Sequence, residues 1–225
     1  GTDNSTITDN GTGNTTILDD DGANIVKMDI SWTDAYGTTE NGVIAIELFP
    51  NAAPYHVANF KALVSEGYYD NTIFHRIIED FVVQGGDFQT HNGYGGHAVI
   101  WAGYCNGQAA SSSEDCSITE WTLPDEADNG LGHEPFVLSM AKTSQPNTGG
   151  SQFFIVSEDT YPTHLDGVHT VFGKVIQGQN IVAAFNLVET SYPNNKPTYD
   201  VTINQAWIVS EIGVDSENDN EPEPI

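Results

Sequence analysis

Arg76 is the only arginine in a chain of 225 residues that has six basic and thirty-two acidic side chains. A guanidinium presents a planar fork of N–H donors and keeps its proton in proteins, which an ammonium group cannot imitate. Arg76 could therefore supply a fixed hydrogen-bond donor to a reacting atom. The sequence alone leaves an alternative open, in which Arg76 is a buried side chain paired with a carboxylate.

The residues after Arg76 have the composition of a strand that ends in a sharp turn. The β-branched run in VVQGGDF stops at two glycines. Such glycines are typical where a strand turns sharply or where another backbone comes close. In a strand, Val82 and Gln84 would face one side, and Phe81 and Val83 would face the other.

This window and two later ones resemble the signature of one protein family, the cyclophilin peptidyl-prolyl isomerases. The three blocks follow the family's order: FHRIIEDFVVQGGDF with HNGYGG, then FVLSMAKTSQPNTGGSQFFIVS, then HLDGVHTVFGKV. Three ordered blocks are more specific than any single short motif, and the resemblance covers about residues 25 to 210. It implies a mainly β fold, a closed eight-stranded antiparallel cyclophilin-like barrel capped by two α-helices.

The resemblance also implies a reaction, the rotation of the peptide bond that precedes proline. Amide resonance gives this rotation a barrier of about 18–20 kcal/mol. In the twisted amide the proline nitrogen regains a lone pair, so a donor aimed at that nitrogen stabilises the transition state selectively. We expect Arg76 to be this donor, and the reaction requires no cofactor or metal ion.

Further site residues are implied by the family pattern. Besides Arg76, the catalytic residues would be Phe81, Gln84 and His169, and the substrate-binding residues would be Val82, Ala141, Lys142, Thr143, Gln152, Phe154, His164 and Leu165. The apolar members would enclose the proline ring, with His169 at the pocket edge. Gln84 would orient Arg76 or bond the substrate backbone. The main chain of residues 141–143 would align the peptide as an added extended segment.

Some of these residues have a simpler interpretation. His169 would be a packing or rim residue rather than a proton carrier, which we prefer because the isomerisation transfers no proton. Phe81, Phe154 and Leu165 would be ordinary core residues if the family pattern were absent, since buried aromatic side chains usually are.

His164 stands where well-known eukaryotic members of the family have tryptophan. An indole there offers a hydrogen-bond donor and a wide apolar face to cyclosporin-type macrocycles, and histidine offers less area. We therefore expect weak cyclosporin binding together with retained isomerase activity.

The elements around these motifs predict a single domain at residues 25–210, between an acidic, Asn/Thr-rich leader (1–24) and an acidic tail (211–225) that we expect to be disordered. Strands are expected at 25–31, 42–48, 68–81, 136–141, 152–157, 171–176 and 201–209, and helices from Pro54 to before Gly67 and at 179–188. No apolar run approaches the roughly 18 residues of a membrane span.

An insert at about residues 97–123 departs from the family pattern and contains both cysteines, Cys105 and Cys116. Its Ser/Ala/Gly-rich stretch predicts a surface loop. We expect a disulfide between the two cysteines if the chain is exported, and the alternatives are two free thiols or half a metal site. The spacing does not favour zinc, and no metal site is predicted.

The net charge of −26 disfavours nucleic acid and anionic membranes as partners. An acidic surface also suits solubility in salt, which is a hypothesis only. Three glycosylation sequons begin at Asn4, Asn10 and Asn14, and they have meaning only in an exported protein.

We therefore expect an extracellular or cell-surface isomerase, and one version of this hypothesis tethers it through a tail. We expect it to be a monomer that acts on proline-containing peptides and on unfolded or exported proteins. The alternative from another class is a peptide-binding or scaffold module that keeps the barrel but has lost useful turnover. A third interpretation, a calcium-dependent adhesin built on the acidic tails, has little support.

Overall fold

The structure is a computed structural model that describes residues 24–34 and 36–209. The sequons, all of the predicted leader except Asn24, and the predicted tail lie outside the described residues. The strands, in chain order, are β1 (Ile25–Thr33), β2 (Thr39–Leu48), β3 (Thr72–Ile73), β4 (Arg76–Ile78), β5 (Val82–Gly85), β6 (Tyr104–Cys105), β7 (Gln108–Ala109), β8 (Trp121–Thr122), β9 (Val137–Met140), β10 (Phe153–Val156), β11 (Val171–Gln177), β12 (Thr190–Ser191), β13 (Lys196–Pro197) and β14 (Thr202–Val209).

Nine of these strands form one antiparallel sheet in the order β3-β14-β1-β2-β11-β9-β10-β5-β4. Buried and partly exposed residues alternate along β1, so that Val26, Met28 and Ile30 point into the core at every second position. This alternation explains why β1 lies in the sheet with one face against the core. The predicted first hairpin is confirmed, since β1 and β2 pair along their whole length.

The expected closed, eight-stranded barrel is wrong in its strand count and in its closure. The sheet has nine strands and is a strongly curled half-barrel, in which β3 and β4 are opposite edges. Only Phe74 and His75 separate these two strands in the chain, so the sheet must curl to bring its edges near each other. The Phe74 N–H donates to Val201 O at the β3 edge, whereas Arg76 pairs with Gln84 at the other edge. The predicted single strand at 68–81 is therefore split, and no ladder joins β3 to β4.

Both predicted helices are present, as α1 (Pro54–Ser65) and a short α2 (Gln179–Ala184) that continues as a 3₁₀ turn at Phe185–Leu187. Pro54 begins α1, as expected from its fixed φ. The cap residue of α1 provides no side-chain hydrogen bond; instead, the Glu126 carboxylate accepts the N–H groups of Tyr55 and His56. Glu126 also bonds the buried His56 ring at 2.6 Å.

The insert is more ordered than the expected surface loop. β6, β7 and β8 form a small three-stranded sheet, and a disulfide joins Cys105 and Cys116. Ala98 and Leu123, at its two ends, are buried in the main core. The insert is therefore anchored at both ends by apolar side chains, and exposed residues occur mainly between them.

Two apolar clusters lie on opposite faces of the sheet. The larger one contains the inward-facing residues of the strands, with Phe60 of α1 and Val182 of α2. The smaller one contains Val82 and Phe154 together with Val137, Val156 and Val171, and Phe81, Ala141 and Leu165 pack against it. A sheet with apolar residues on both faces needs a cover or a binding partner on each. The smaller cluster is the apolar base of the site described next.

No helix among the described residues has both the length and the apolar character needed to cross a membrane.

Candidate functional site

Three strands bring three predicted site residues into one row. Arg76 on β4 lies opposite Gln84 on β5, and Gln84 lies opposite Phe154 on β10. Directly opposed residues of antiparallel strands place their side chains on the same face. The row continues to Ser139 on β9. The face that it occupies is the one that carries the smaller apolar cluster.

A pocket of about 190 Å³ opens over this row. Its lining consists of nine residues, all of which the sequence assigned to the site: Arg76, Phe81, Val82, Gln84, Ala141, Lys142, Phe154, Leu165 and His169. This volume is below the roughly 300–1,000 Å³ of pockets for drug-sized ligands and suits one small side chain.

Phe81 reaches the pocket against the strand alternation expected for it. The alternation placed Phe81 with Val83, away from Val82, but β5 begins only at Val82. Asp80, with φ of 53°, turns the chain just before Phe81. Phe81 and Val82 therefore both line the pocket, whereas Val83 belongs to the main core.

The Arg76 guanidinium is partly buried and bonds an amide rather than a carboxylate. Its Nη1 donates to Gln84 Oε1 at 3.2 Å. The ion pairs found among residues 24–34 and 36–209 do not include Arg76. Burial lowers the pKa of Arg76 from its very high ordinary value, and a guanidinium in a protein stays protonated. Among the residues that the structure describes, Gln84 is the hydrogen-bond partner found for this guanidinium, which also lines the pocket.

A chain of amides fixes the orientation of Gln84. Because Gln84 Oε1 accepts from Arg76, its amide nitrogen faces Gln152 and donates to Gln152 Oε1 at 3.0 Å. The Gln152 nitrogen in turn donates to the carbonyls of Gly93 and Gly95, at 2.9 and 2.8 Å. The side-chain nitrogens of Gln84 and Gln152 thus both donate away from Arg76. The arrangement favours the first of the two predicted roles of Gln84, which is to orient Arg76.

Asp87, which the sequence analysis did not single out, organises the loop that anchors these amides. The buried carboxylate accepts the N–H groups of Gln89, Thr90, Asn92, Gly93 and Gly95 and the Thr90 hydroxyl. Burial acts to raise the pKa of Asp87, but the bonds from Thr90, Asn92 and Gly93 outweigh it and hold the pKa far below its ordinary value. In the sequence, the one sign of this role is that Asp87 is a single acid followed by a Thr/Asn/Gly-rich stretch.

His169 lies at the pocket edge with one ring nitrogen already bonded. Its Nδ1 is 2.9 Å from Met140 O, so the ring donates there and leaves Nε2 without a proton in the neutral form. Burial lowers the pKa of His169. The ring meets Phe154 edge-on at 5.6 Å. A neutral, bonded ring fits a packing or rim residue.

Three predicted residues lie outside this pocket. Thr143 and Gln152 line a neighbouring cavity of about 570 Å³, which shares Gln84, Ala141 and Lys142 with the pocket. His164 is exposed and stacks on Phe81, with ring centroids 5.8 Å apart. Five residues of the insert, which the sequence did not assign to the site, also line the larger cavity: His97, Asn106, Thr119, Trp121 and Thr122.

The main chain at 141–143 offers fewer free groups than an unpaired strand would. The Ala141 N–H donates to Gln152 O, and the Thr143 N–H donates to Thr148 Oγ1. The Lys142 N–H between them has no partner among the described residues. A peptide aligned here would therefore bond the Lys142 main chain.

No group of three or more His, Cys, Asp or Glu side chains in the described part of the chain is arranged to hold a metal ion.

Comparison with known proteins identifies relatives over most of the chain. Residues 35–208 match the sequence model of the family described as cyclophilin type peptidyl-prolyl cis-trans isomerase/CLD. Peptidyl-prolyl cis-trans isomerase-like 1 of Neurospora crassa is 38% identical over 80% of this chain and 96% of its own length. The human protein of the same name is 37% identical over 79% of this chain and 94% of its own length.

A solved structure is similar as well. The Cryptosporidium parvum cyclophilin type isomerase, crystallised in the presence of the dipeptide Ala-Pro, matches with a TM-score of 0.62 and 31% identity, over 81% of this chain and 99% of that one. The family resemblance of the sequence blocks is thus confirmed. The chain belongs to the cyclophilin-type peptidyl-prolyl cis-trans isomerase family.

Proposed function

We propose that this isomerase accelerates rotation of X-Pro bonds at the Arg76 pocket and that its clients are exported proteins during folding. The observation that carries the first part is the environment of Arg76, whose guanidinium faces an apolar pocket and is held by Gln84 without a carboxylate partner among the described residues. A fixed, charged donor beside a pocket for one small ring is what the reaction requires.

Catalysis here consists of binding the twisted amide more tightly than either planar form. The planar imide nitrogen has its lone pair in the amide resonance and is a poor acceptor, and rotation restores that lone pair. A donor already in position stabilises the rotated state without reorganisation. The Gln84 bond keeps the Arg76 guanidinium in position, so its contribution is selective for the transition state.

The apolar side chains hold the proline ring while the preceding carbonyl swings. Phe154 and Val82, on β10 and β5, form the base of the pocket, and Phe81 and Leu165 form its sides. These contacts are equal in the planar and twisted states, because the ring itself does not change. They contribute to affinity, whereas Arg76 contributes to rate.

In this mechanism His169 forms part of the pocket wall and transfers no proton. Its Nδ1 donates to Met140 O, and its ring is fixed edge-on to Phe154. No bond to hydrogen forms or breaks during the rotation, so a neutral imidazole suffices.

The Cys105–Cys116 disulfide supports the proposal that the protein works outside the cytosol, because disulfides persist in oxidising compartments. A domain in such a compartment would meet newly exported chains whose slow step is proline isomerisation. We propose an extracellular or cell-surface location on this ground.

The experiment is a protease-coupled assay on an Ala-Pro peptide with wild type and Arg76→Ala, followed by refolding of a disulfide-containing protein limited by proline isomerisation. We expect the variant to lose about a hundredfold or more in kcat/KM and to leave the refolding phase unaccelerated. Equal peptide rates for both proteins would contradict the role of Arg76. A wild type without turnover that still binds the peptide would instead favour the scaffold alternative. Turnover on the peptide without faster refolding would contradict the proposed clients.

A further inference from the structure

His133 is a buried titratable group that the proposed mechanism does not use, and it lies directly behind the pocket. The residue is 2% exposed and lies in the segment before β9. The ring stacks on Phe154 with centroids 5.8 Å apart and an angle of 15° between the planes. The residue thus touches the base of the pocket from the side opposite to the Arg76 edge of the row.

Both ring nitrogens of His133 have partners, and these partners belong to two different parts of the site. Nδ1 lies 2.8 Å from Asp166 Oδ1, and the His133 backbone N–H donates to the same oxygen at 2.8 Å. Nε2 lies 3.0 Å from the hydroxyl of Ser139, which is fully buried on β9 and lies opposite Phe154.

The protonation of this group follows from its surroundings. The hydrogen bonds from His133 lower the pKa of Asp166, which is therefore a charged acceptor at neutral pH. Burial lowers the pKa of His133, and its bond to Asp166 opposes only part of that shift. The neutral ring then donates from Nδ1 to Asp166 and accepts the Ser139 hydroxyl at Nε2. The Ser139 hydroxyl also lies 3.0 Å from Thr170 O, and its single proton can serve only one of these two acceptors. With a neutral His133 ring the proton goes to Nε2, and Thr170 O then keeps only the Met140 N–H.

Asp166 connects this group to the opposite wall of the pocket. It follows Leu165, which lines the pocket, and the chain returns to the pocket at His169. Asp166 Oδ1 accepts two hydrogen bonds from His133, one from the ring and one from the backbone. The 164–170 segment is thereby tied to β9 through one imidazole.

We propose that His133 is a positioning residue for the proline pocket, which fixes the Leu165 wall through Asp166 and the Phe154 base through ring stacking and Ser139. This role rests on the proposed function of the pocket. Because His133 acts on the groups that hold the ring, and not on Arg76, its removal should weaken binding of the planar and twisted states equally. Uniform loss of binding raises the dissociation constant and leaves the rate on the enzyme unchanged.

The test separates these two quantities by NMR exchange measurements on an Ala-Pro peptide with His133→Leu, His133→Asn and Asp166→Ala. His133→Leu keeps apolar bulk but loses both bonds, and we expect the dissociation constant to rise about tenfold while the on-enzyme exchange rate stays within about twofold. His133→Asn retains a donor for Asp166 and should stay within about threefold of wild type. Asp166→Ala, at an exposed position, should raise the dissociation constant about fivefold.

His56→Leu is the matched control. His56 is also a buried histidine bonded to a carboxylate, Glu126, but it does not line the pocket. We expect this variant to lower the thermal midpoint and leave the peptide dissociation constant unchanged. If His133→Leu and Asp166→Ala behave in the same way as His56→Leu, or if the exchange rate falls at an unchanged dissociation constant, the positioning role is overturned. A wild type that does not turn over the peptide would overturn the proposed function instead.

Discussion

Arg76 and Gln84 face each other across β4 and β5, and the Arg76 Nη1 donates to Gln84 Oε1 at 3.2 Å. This pair connects the fold to the chemistry, because the register of two short strands sets the position of the guanidinium.

Gln84→Leu should lower kcat about tenfold with a smaller change in KM, because Arg76 loses its acceptor and samples other rotamers. Steady-state kinetics on an Ala-Pro peptide measure both constants. Gln89→Leu is the matched control, since the Gln89 amide bonds Gly96 in the same loop and does not touch Arg76. A Gln84→Leu enzyme with wild-type kcat would contradict the orienting role.

Asp87→Asn should lower the free energy of unfolding at neutral pH. It should also make this free energy fall less steeply as the pH is lowered into the acid range. The pKa of Asp87 is far lower in the folded protein than in the unfolded chain. Its contribution to stability is therefore complete above about pH 4 and is lost as the pH falls through the acid range.

Denaturant unfolding at pH 7 and at pH 3 measures the Asp87 effect as the difference between wild type and variant. Asp115→Asn serves as control, because Asp115 caps two N–H groups of the insert at an exposed position. Parallel stability curves for wild type and Asp87→Asn across this pH range would show that the Asp87 carboxylate does not carry the acid dependence.

His164→Trp should raise the affinity for cyclosporin at least about tenfold and change kcat/KM on a short peptide by less than about twofold. His164 is exposed and stacks on Phe81 outside the catalytic pocket, so a larger ring adds contact area for a macrocycle without entering the proline site. Inhibition of peptide turnover gives both affinities. Nanomolar inhibition of the wild type would show that an indole is not needed.

Replacing Cys105 and Cys116 together by serine should lower the free energy of unfolding by about 3 kcal/mol, since the bond closes a short loop with a sequence separation of 11. Chemical denaturation measures this loss, and intact masses under reducing and non-reducing conditions establish the bond in the wild type. A loss equal to that caused by dithiothreitol on the wild type supports the assignment. Unequal losses would point to effects of serine itself.

The sequence predicted the members of the pocket better than it predicted the shape of the sheet. Gln84 and Val82 were expected on one face, and strand alternation alone was enough for that. Strand alternation alone put Phe81 on the opposite face, because alternation cannot show that a turn at Asp80 precedes the strand, and only the family pattern assigned Phe81 to the pocket. The break at Phe74 was also invisible, since a sheet curls through pairings between distant strands.

The sequence could not predict the polar contacts between residues far apart in the chain either. Glu126 caps α1 across 71 residues, and Asp166 bonds His133 across 33. Neither acid differs in its local pattern from the many solvated acids of this chain. Only the fold shows that their carboxylates have partners.

The most direct test of the account is the peptide exchange rate on the enzyme with Arg76→Lys, measured by NMR together with the peptide dissociation constant. Lysine keeps the charge but cannot reproduce the planar fork held by Gln84. The account predicts a dissociation constant within about threefold of wild type and an exchange rate reduced about a hundredfold. An exchange rate equal to that of the wild type would contradict the claim that an oriented guanidinium stabilises the twisted amide.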